Sequence, residues 1–232
     1  MHHYTPHCIA SFHLVRTNSR VQALTRLGLD RARLRRVPGL VFWRLLGTGA
    51  GSNTGPGADL HRTALFAIWR DVAALEAFEQ SMEKRWAAAD ELWSVRLRSA
   101  GGHGAWRGVD VLGLLEPAEG PVDESSASGS PVVIITRADV HRRSWRAFRA
   151  AGPAVSAELN AADGLLAVVG IGEAPVGRLG TLSVWRSLAD AQAFAADSPH
   201  HREVMRRTRT EGWYGEELFA RFEPFHATGI WN

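Results

Sequence analysis

Cysteine and lysine are almost missing from this chain: Cys8 is its only cysteine and Lys84 its only lysine among 232 residues. A single cysteine excludes both an intrachain disulfide framework and a cluster of thiolate metal ligands. No apolar run approaches the roughly 18 residues that a membrane-spanning helix needs, and the first residues lack the charged and apolar regions of a signal peptide. These absences predict a cytoplasmic protein.

Nearly all of the positive charge is arginine, so the sequence isoelectric point is about 9.7 although the formal net charge is only +3. The arginines concentrate in three predicted helices, at 31–36, 142–149 and 202–209. Such clusters suit nucleic acid, an anionic membrane surface or the propionates of a haem, or they form solvated helix faces. No helix-turn-helix, zinc-finger or RNP pattern accompanies them, so we expect no nucleic-acid partner, while a peripheral membrane contact stays open.

The hydrophobic pattern predicts two successive βαββαβ units. In the first unit, strands and helices are expected in chain order at 8–15, 20–36, 40–46, 63–69, 72–90 and 93–98. In the second unit they are expected at 132–136, 143–159, 165–171, 181–185, 188–209 and 217–222, with a break near Pro199. The first helix is expected to pack into the core through Val21, Leu24, Leu27 and Leu34.

The two units form an internal repeat. Residues 67–70 (A-I-W-R) match residues 183–186 (S-V-W-R), and a phenylalanine follows each tryptophan after nine residues, at Phe78 and Phe194. Two ferredoxin-like units in one chain normally bury the open faces of their sheets against each other. The sequence therefore predicts an α+β fold in which the duplicated units form a closed barrel of the dimeric α/β-barrel type.

The expected organisation is an N-terminal half at 1–98, a linker at 99–130 and a C-terminal half at 131–232. The linker is rich in glycine, proline and serine. It contains G-H-G-A-W-R-G, whose tryptophan and arginine indicate a segment that folds back onto the body.

Other chemistries lack their motifs. The glycines at 47, 49 and 51 are not followed by Gly-Lys-Ser/Thr, so we interpret them as a flexible loop rather than a dinucleotide site. The chain has no G-x-S-x-G elbow and no H-E-x-x-H motif. Glu216 and Glu217 are neighbours on a predicted strand, so they point to opposite faces and cannot act together on one bond. The histidines at positions 2, 3 and 7 are interpreted as a tail rather than a metal site.

One helix carries the candidate site. It is delimited by a good N-cap at Ser198 and a terminating glycine at Gly212. Between them His201, Met205 and Thr208 fall at i, i+4 and i+7, on one face. A histidine on the inward face of a helix over a sheet is either a core residue bonded to backbone or a ligand to a metal or haem iron. The spacing alone leaves both interpretations open.

Three motifs carry a resemblance: P-G-L-V-F-W-R-L-L-G-T-G-A-G, A-L-F-A-I-W-R-D and T-R-T-E-G-W-Y-G-E-E-L-F-A-R-F. They resemble the spheroidene monooxygenase family, the carotenoid ketolases of purple bacteria, from about Phe12 to Phe222. The resemblance implies haem b, insertion of oxygen from O₂ into an activated C–H bond of an apolar small molecule, and an external electron donor such as ferredoxin. The family is also similar in architecture to haem-containing aldoxime dehydratases. A haem dehydratase or other N–O or N–N chemistry on the same fold, a cofactor-free ligand-binding barrel and a homo-oligomer stay open.

On this resemblance His201, twelve residues before Trp213, is the expected proximal ligand of the haem iron. His200 is the immediate competitor, and it should face about 100° away on an ideal helix.

The remaining roles follow from the same resemblance. Arg202 and Arg206 are expected to bind the haem propionates through charge-assisted hydrogen bonds, with a solvated face as the alternative. Met205, on the same face as the expected ligand, is expected to contact the cofactor. His226, beyond the last predicted strand, is expected on the distal side as a hydrogen-bond donor or proton relay, with an exposed tail histidine as the alternative.

Overall fold

The computed structural model describes residues 8–49, 51–52, 57–117, 129–174 and 176–231. The N-terminal histidines at positions 2, 3 and 7 lie outside the described residues. In chain order the elements are β1 (Ile9–Arg16), α1 (Arg20–Leu34), β2 (Leu40–Gly49), β3 (Ala58–Trp69), α2 (Val72–Trp86), β4 (Glu91–Gly104), β5 (Val132–Val140), α3 (Trp145–Asn160), β6 (Leu165–Gly172), β7 (Arg178–Trp185), α4 (Leu188–Asp197), α5 (Pro199–Glu211) and β8 (Tyr214–Gly229). No described helix is long and apolar enough to cross a bilayer.

The eight strands close into one antiparallel barrel in the order β1-β3-β2-β6-β7-β5-β8-β4. The order β4-β1-β3-β2 of the first four strands recurs as β8-β5-β7-β6 in the last four, so the duplicated ferredoxin-like topology is confirmed. Two seams join the halves. The β2–β6 seam is short and pairs Gly47 with Gly172 and Thr48 with Ile171, whereas the β4–β8 seam extends from Trp93 to Gly104.

The β4–β8 seam makes both strands longer than their sequence pattern predicts. β4 continues to Gly104, into the predicted linker, and β8 covers 214–229 rather than 217–222. Gly102 shows how the glycines take part: its φ is +147°, and a Cβ there would lie 2.1 Å from the carbonyl oxygen of Phe219. Only glycine allows this close approach of the two backbones. Glycine within a strand hides the strand from a pattern of apolar alternation.

The barrel interior is filled with side chains. Its core includes Phe12, Phe66 and Phe222, which are all fully buried. The segment after β4 folds back into this core, as the sequence indicated, because Trp106 is also fully buried and stacks on Phe66 at a ring-centroid distance of 5.1 Å. The indole Nε1 of Trp106 donates to the carboxylate of Glu173 at 2.8 Å. The interior therefore leaves the spaces between sheet and helices as the places where a site can form.

The contacts between the sheet and its outer helices confirm the repeat. Trp69 contacts Phe78 at a centroid distance of 4.8 Å, and Trp185 contacts Phe194 at 5.5 Å. In both halves the tryptophan ends a strand and the phenylalanine lies on the following helix. The two matched pairs in the sequence are thus the same structural contact made twice.

The predicted core stripe of α1 is wrong at two positions. Val21 is 74% exposed and Leu24 is 51% exposed, whereas the side chains that α1 buries are those of Ala23 and Leu34. Apolar residues occur on several sides of this helix, so the spacing i, i+3 fits more than one face. The face that packs on the sheet is the one centred on Ala23.

A buried histidine occupies the space between β1 and the helices of the N-terminal half. His13 is fully buried, and its two ring nitrogens lie 2.9 Å from the hydroxyls of Ser11 and Ser94. Its ring packs against Phe78 and Trp86 beside a cavity of about 40 Å³. Burial, reinforced by the charge of Arg96, lowers the pKa of His13 from 6.5 to about 3. The side chain is therefore neutral in the folded protein at pH 7.

We expect His13 to make the protein less stable as the pH falls. Between about pH 6.5 and pH 3 the unfolded chain binds a proton at this residue and the folded chain does not, so the free energy of unfolding falls with pH. The expected contribution is about 2 kcal/mol lost between pH 7 and pH 5. Urea unfolding at both pH values measures it, and His13→Asn is the control. An equal loss in the two proteins would assign the pH dependence to other groups.

Candidate functional site

The helix α5 has the boundaries and the faces that its sequence predicts. Ser198 precedes it in an extended conformation, Pro199 is its first residue, and Gly212 ends it with φ +60°. The side of α5 that turns inward contains His201 and Met205, which are partly buried, and Thr208, which is buried. The helix packs against α3 and α4. The predicted break between α4 and α5 is confirmed at position 198.

His201 has a buried nitrogen without a hydrogen bond. Its ring contacts that of Phe194 at a centroid distance of 5.1 Å, and its Nδ1 has no hydrogen-bond partner among the described residues. Burial lowers the pKa of His201, and the Ala195 carbonyl and Glu158 oppose this shift only in part. A neutral imidazole with a free nitrogen is the form that binds a metal. Other buried side-chain atoms, such as Nε of Arg96, share this lack of a partner, but Nδ1 of His201 is the one imidazole nitrogen among them in the described residues.

The start of α5 is fixed by a carboxylate from another helix. Ser198 makes no side-chain cap, but Glu158 of α3 accepts hydrogen bonds from the backbone N–H groups of His200 and His201, each at 3.2 Å. The same carboxylate lies 2.7 Å from Nδ1 of the exposed His200. The two neighbouring histidines therefore differ: His200 is held at the surface, and His201 turns towards the sheet side.

The sheet opposite these helices is less well covered than its counterpart in the N-terminal half. The strand registers place Thr136 and Thr181 where the N-terminal half has His13 and Leu65. His13 and Leu65 are buried, but Thr136 is exposed and Thr181 is half-exposed, with their hydroxyls 2.8 Å apart. The repeat thus has a filled space in one half and an open face in the other.

The helices show the same asymmetry. In the C-terminal half the counterparts of α2 are α4 and α5. α2 buries four side chains, Leu75, Phe78, Met82 and Trp86, whereas α4 buries Leu188 and Ala191 and α5 buries only Thr208. The large apolar residues of α3 that precede Leu159, among them Phe148 and Val155, are half-exposed. From the half-exposed apolar face of α3 and the half-exposed sheet face of the same half, we infer an open groove between them, with His201 in its helix layer.

The other predicted site residues lie around this helix. Arg202 and Arg206 are exposed, and Arg206 forms two hydrogen bonds with Glu203, at 2.7 and 2.8 Å. Arg202 makes no side-chain hydrogen bond within the described residues, which leaves its guanidinium free for an anion. Met205 shares the inward face of His201. The propionate role of the two arginines and the cofactor contact of Met205 stay predictions.

His226 is placed apart from the groove by the strand register. It is exposed on the far part of β8, opposite Arg96 of β4 and beyond the last residue that β8 pairs with β5, Phe222. Its distal role stays a prediction.

The sequence reasoning missed a buried ionic cluster at one end of the barrel. Arg137 is buried and pairs with Asp139 at 2.6 Å, with Glu173 at 3.4 Å and with Glu216. Glu216 also accepts the backbone N–H groups of Arg107 and Gly108. Burial opposes ionisation, but these hydrogen bonds and Arg137 lower the pKa of Glu216.

The cluster has a structural role. It ties the segment after β4 to the barrel, and the opposite orientation predicted for the two glutamates agrees with an inward Glu216 and an exposed Glu217. The sequence does contain a signal for this cluster: Arg137 is a charged residue within a strand of mostly β-branched residues.

The residues around His201 fit a haem better than a bare metal ion. Within the described ranges no group of three or more His, Cys, Asp or Glu residues could hold a metal ion. A haem iron needs only one axial imidazole from the protein, because the macrocycle supplies its other ligands. The unpartnered Nδ1 of His201, the half-exposed apolar residues of α3 and the exposed Arg202 are compatible with such a group.

Curated relatives match most of the chain, although no family model matches it. The spheroidene monooxygenase of Rhodobacter capsulatus is 32% identical over 233 aligned residues, covering 96% of this chain and 92% of that protein. The spheroidene monooxygenase of Rubrivivax gelatinosus is 33% identical and covers 84% of this chain and 73% of its own. That of Cereibacter sphaeroides is 29% identical and covers 92% of this chain and 64% of its own.

Solved structures share the fold. An aldoxime dehydratase in complex with butyraldoxime has a TM-score of 0.61 over 96% of this chain and 82% of its own, at 13% identity. A second aldoxime dehydratase structure has a TM-score of 0.54 over 94% of this chain and 81% of its own, also at 13% identity. At that identity the likeness concerns the fold alone. With 32% identity across almost the full length of both proteins, the chain belongs to the spheroidene monooxygenase family.

Proposed function

We propose that this protein is a haem-dependent monooxygenase that inserts an oxygen atom from O₂ into an activated C–H bond of an apolar small molecule. Family membership supports a monooxygenase. The observation that carries the haem is the buried, unpartnered Nδ1 of His201 beside an open groove. The relatives are spheroidene monooxygenases, which supports spheroidene or a similar apolar compound as the substrate.

The residues of the groove have distinct tasks in this proposal. His201 holds the iron through its imidazole, and the bonds from Glu158 to the first turn of α5 fix the position of that helix. Arg202 pairs with a propionate, which Arg206 is less free to do because Glu203 already holds it. The apolar side chains of α3 and α5, such as Phe148 and Met205, exclude water and receive an apolar substrate.

Bound haem supplies the one-electron and O₂ chemistry that no side chain in this chain offers. Each hydroxylation consumes O₂, two electrons and two protons, and the second oxygen atom leaves as water. In this proposal the electrons come from a separate redox partner, and the sequence shows no flavin or NAD fingerprint of its own. We propose ferredoxin as the class of redox partner. A cytoplasmic location and a homo-oligomer stay predictions.

We expect the purified, haem-loaded protein to produce nothing until it receives electrons. Ferredoxin with its reductase, or a chemical reductant, should start turnover under air, and mass spectrometry should find ¹⁸O from labelled O₂ in the product. The control is the same mixture without O₂. Many turnovers without O₂ and without label would contradict the monooxygenase and favour a haem dehydratase. A protein that stays colourless and iron-free in haem-supplied cells would instead indicate a cofactor-free binding barrel.

A further inference from the structure

Helix α1 presents large apolar side chains to solvent. Val21 is 74% exposed, Leu24 is 51% exposed and Leu29 is 69% exposed. Elsewhere in the described part of the chain, exposed side chains of this kind occur singly on strands, in loops or at the start of a helix. Single exposed apolar residues are normal on protein surfaces, but a group of them on one helix indicates an interaction surface.

The same helix and the turn that follows it have a strong positive charge. Residues 20–36 contain six arginines and one aspartate, a formal charge of +5, so the rest of the chain carries −2. Arg31, Arg35 and Arg36 are exposed. Asp30, the one acidic residue of α1, is only partly exposed and pairs with Arg85 of α2 at 2.7 Å, so α1 itself places no unpaired carboxylate on its outer face.

A groove adjoins this face where α1 ends and α2 begins. Its volume is about 760 Å³, and its walls include Ala32, Arg33, Arg36, Arg70 and Asp71. Arg70 pairs with Asp71 at 3.1 Å, so the cations left for an anion are those of Arg33 and Arg36. Ala32 and Arg36 also belong to the exposed face of α1. The groove is therefore continuous with the apolar and basic surface, and it combines small apolar side chains with guanidinium groups that suit a phosphate.

We propose that the outer face of α1 is a docking surface for an anionic phospholipid bilayer. A helix that combines exposed leucine and valine with arginine lies in the plane of the interface, with its apolar side chains below the headgroups and its cations among the phosphates. Val21, Leu24 and Leu29 enter the bilayer surface, and Arg31, Arg35 and Arg36 pair with lipid phosphates.

The basic face of α3 has exposed arginines but lacks exposed large apolar side chains. Arg142, Arg146 and Arg149 are exposed beside it, but no large apolar side chain of α3 is among the exposed ones. Positive charge alone would make α1 and α3 equally suited to an anionic bilayer. Of these two helices only α1 has exposed large apolar side chains, so α1 is the proposed docking surface. The docking surface also stands independently of the haem, since it lies on the other half of the repeat.

Sedimentation with vesicles tests the docking surface. We expect the full chain to bind vesicles of phosphatidylcholine mixed with phosphatidylglycerol, and to bind pure phosphatidylcholine far more weakly. The triple variant Arg31→Gln/Arg35→Gln/Arg36→Gln should lower the partition coefficient roughly a hundredfold, because each cation near an anionic surface contributes several-fold. The matched control Arg142→Gln/Arg146→Gln/Arg149→Gln removes the same charge and should change it only a few-fold. Equal losses in both variants, or no binding by the wild type, would overturn the proposal.

Insertion of the apolar side chains needs its own measurement. In a Cys8→Ser background, an environment-sensitive fluorophore on Leu24→Cys should shift to the blue and brighten when anionic vesicles are added. The same fluorophore on Ala150→Cys, an exposed position of α3, should not. A blue shift at both positions, or at neither, would show that α1 does not enter the bilayer surface. Circular dichroism of each variant checks that these surface changes leave the fold intact.

Discussion

His201→Ala is expected to yield a folded protein that fails to hold haem, whereas His200→Ala keeps it. The reason is the difference between the two side chains. His201 has a buried Nδ1 without a partner, while the Nδ1 of His200 lies 2.7 Å from Glu158 at the surface. Alanine favours helices and cannot bind iron, so the first change removes the proposed ligand without breaking α5. In a haemin titration, the Soret absorbance at saturation should fall about tenfold or more for His201→Ala.

His200→Ala is the matched control because it is the same substitution one residue earlier in the same turn. It removes an exposed side-chain hydrogen bond to Glu158, which contributes little to stability. Far-ultraviolet circular dichroism and thermal unfolding of both variants separate loss of haem from loss of structure. A normal Soret band in folded His201→Ala would refute the ligand assignment. Loss of the band in His200→Ala alone would move the ligand to His200 and leave the haem proposal standing.

The candidate helix could be predicted from the sequence because its signals are local. Ser198, Pro199 and Gly212 mark the ends of α5, and the i, i+4, i+7 spacing identifies its inward face. The open groove could not be predicted in this way. It depends on Thr136 and Thr181 occupying the positions that His13 and Leu65 fill in the other half, and only the strand register shows that correspondence.

Contacts between residues that are distant in the sequence also explain where the structure differs from the other sequence-based predictions. The ends of β4 and β8 are set by their mutual ladder, and positive-φ glycines such as Gly102 interrupt the alternation that would have revealed it. The inward face of α1 was misjudged because Val21 and Leu24 are apolar but exposed. Apolar character predicts burial only where an element has something to pack against. Glu158 is a further case, since it lies more than forty residues from the helix it caps.

Trp106→Ala is expected to be among the most destabilising single changes in the chain. The indole is fully buried in the barrel, is stacked on Phe66, and lies near Phe42 at a centroid distance of 6.0 Å. Its removal should lower the free energy of unfolding by about 3–5 kcal/mol, through lost burial and the cavity that remains. For a chain of this size that corresponds to a fall in melting temperature of roughly 10 °C. Urea and thermal unfolding measure both quantities.

Two further variants separate the contributions at Trp106. Trp106→Phe keeps an aromatic ring against Phe66 but removes the N–H that Glu173 accepts, so it should cost less than alanine. Trp231→Ala is the control, because it removes a tryptophan that is only half-buried. Trp231 contacts Trp93 and lies after the end of β8. We expect that change to cost about 1 kcal/mol. Equal costs for Trp106→Ala and Trp231→Ala would mean that the segment after β4 rests loosely on the barrel, and the predicted packing of that segment would be wrong.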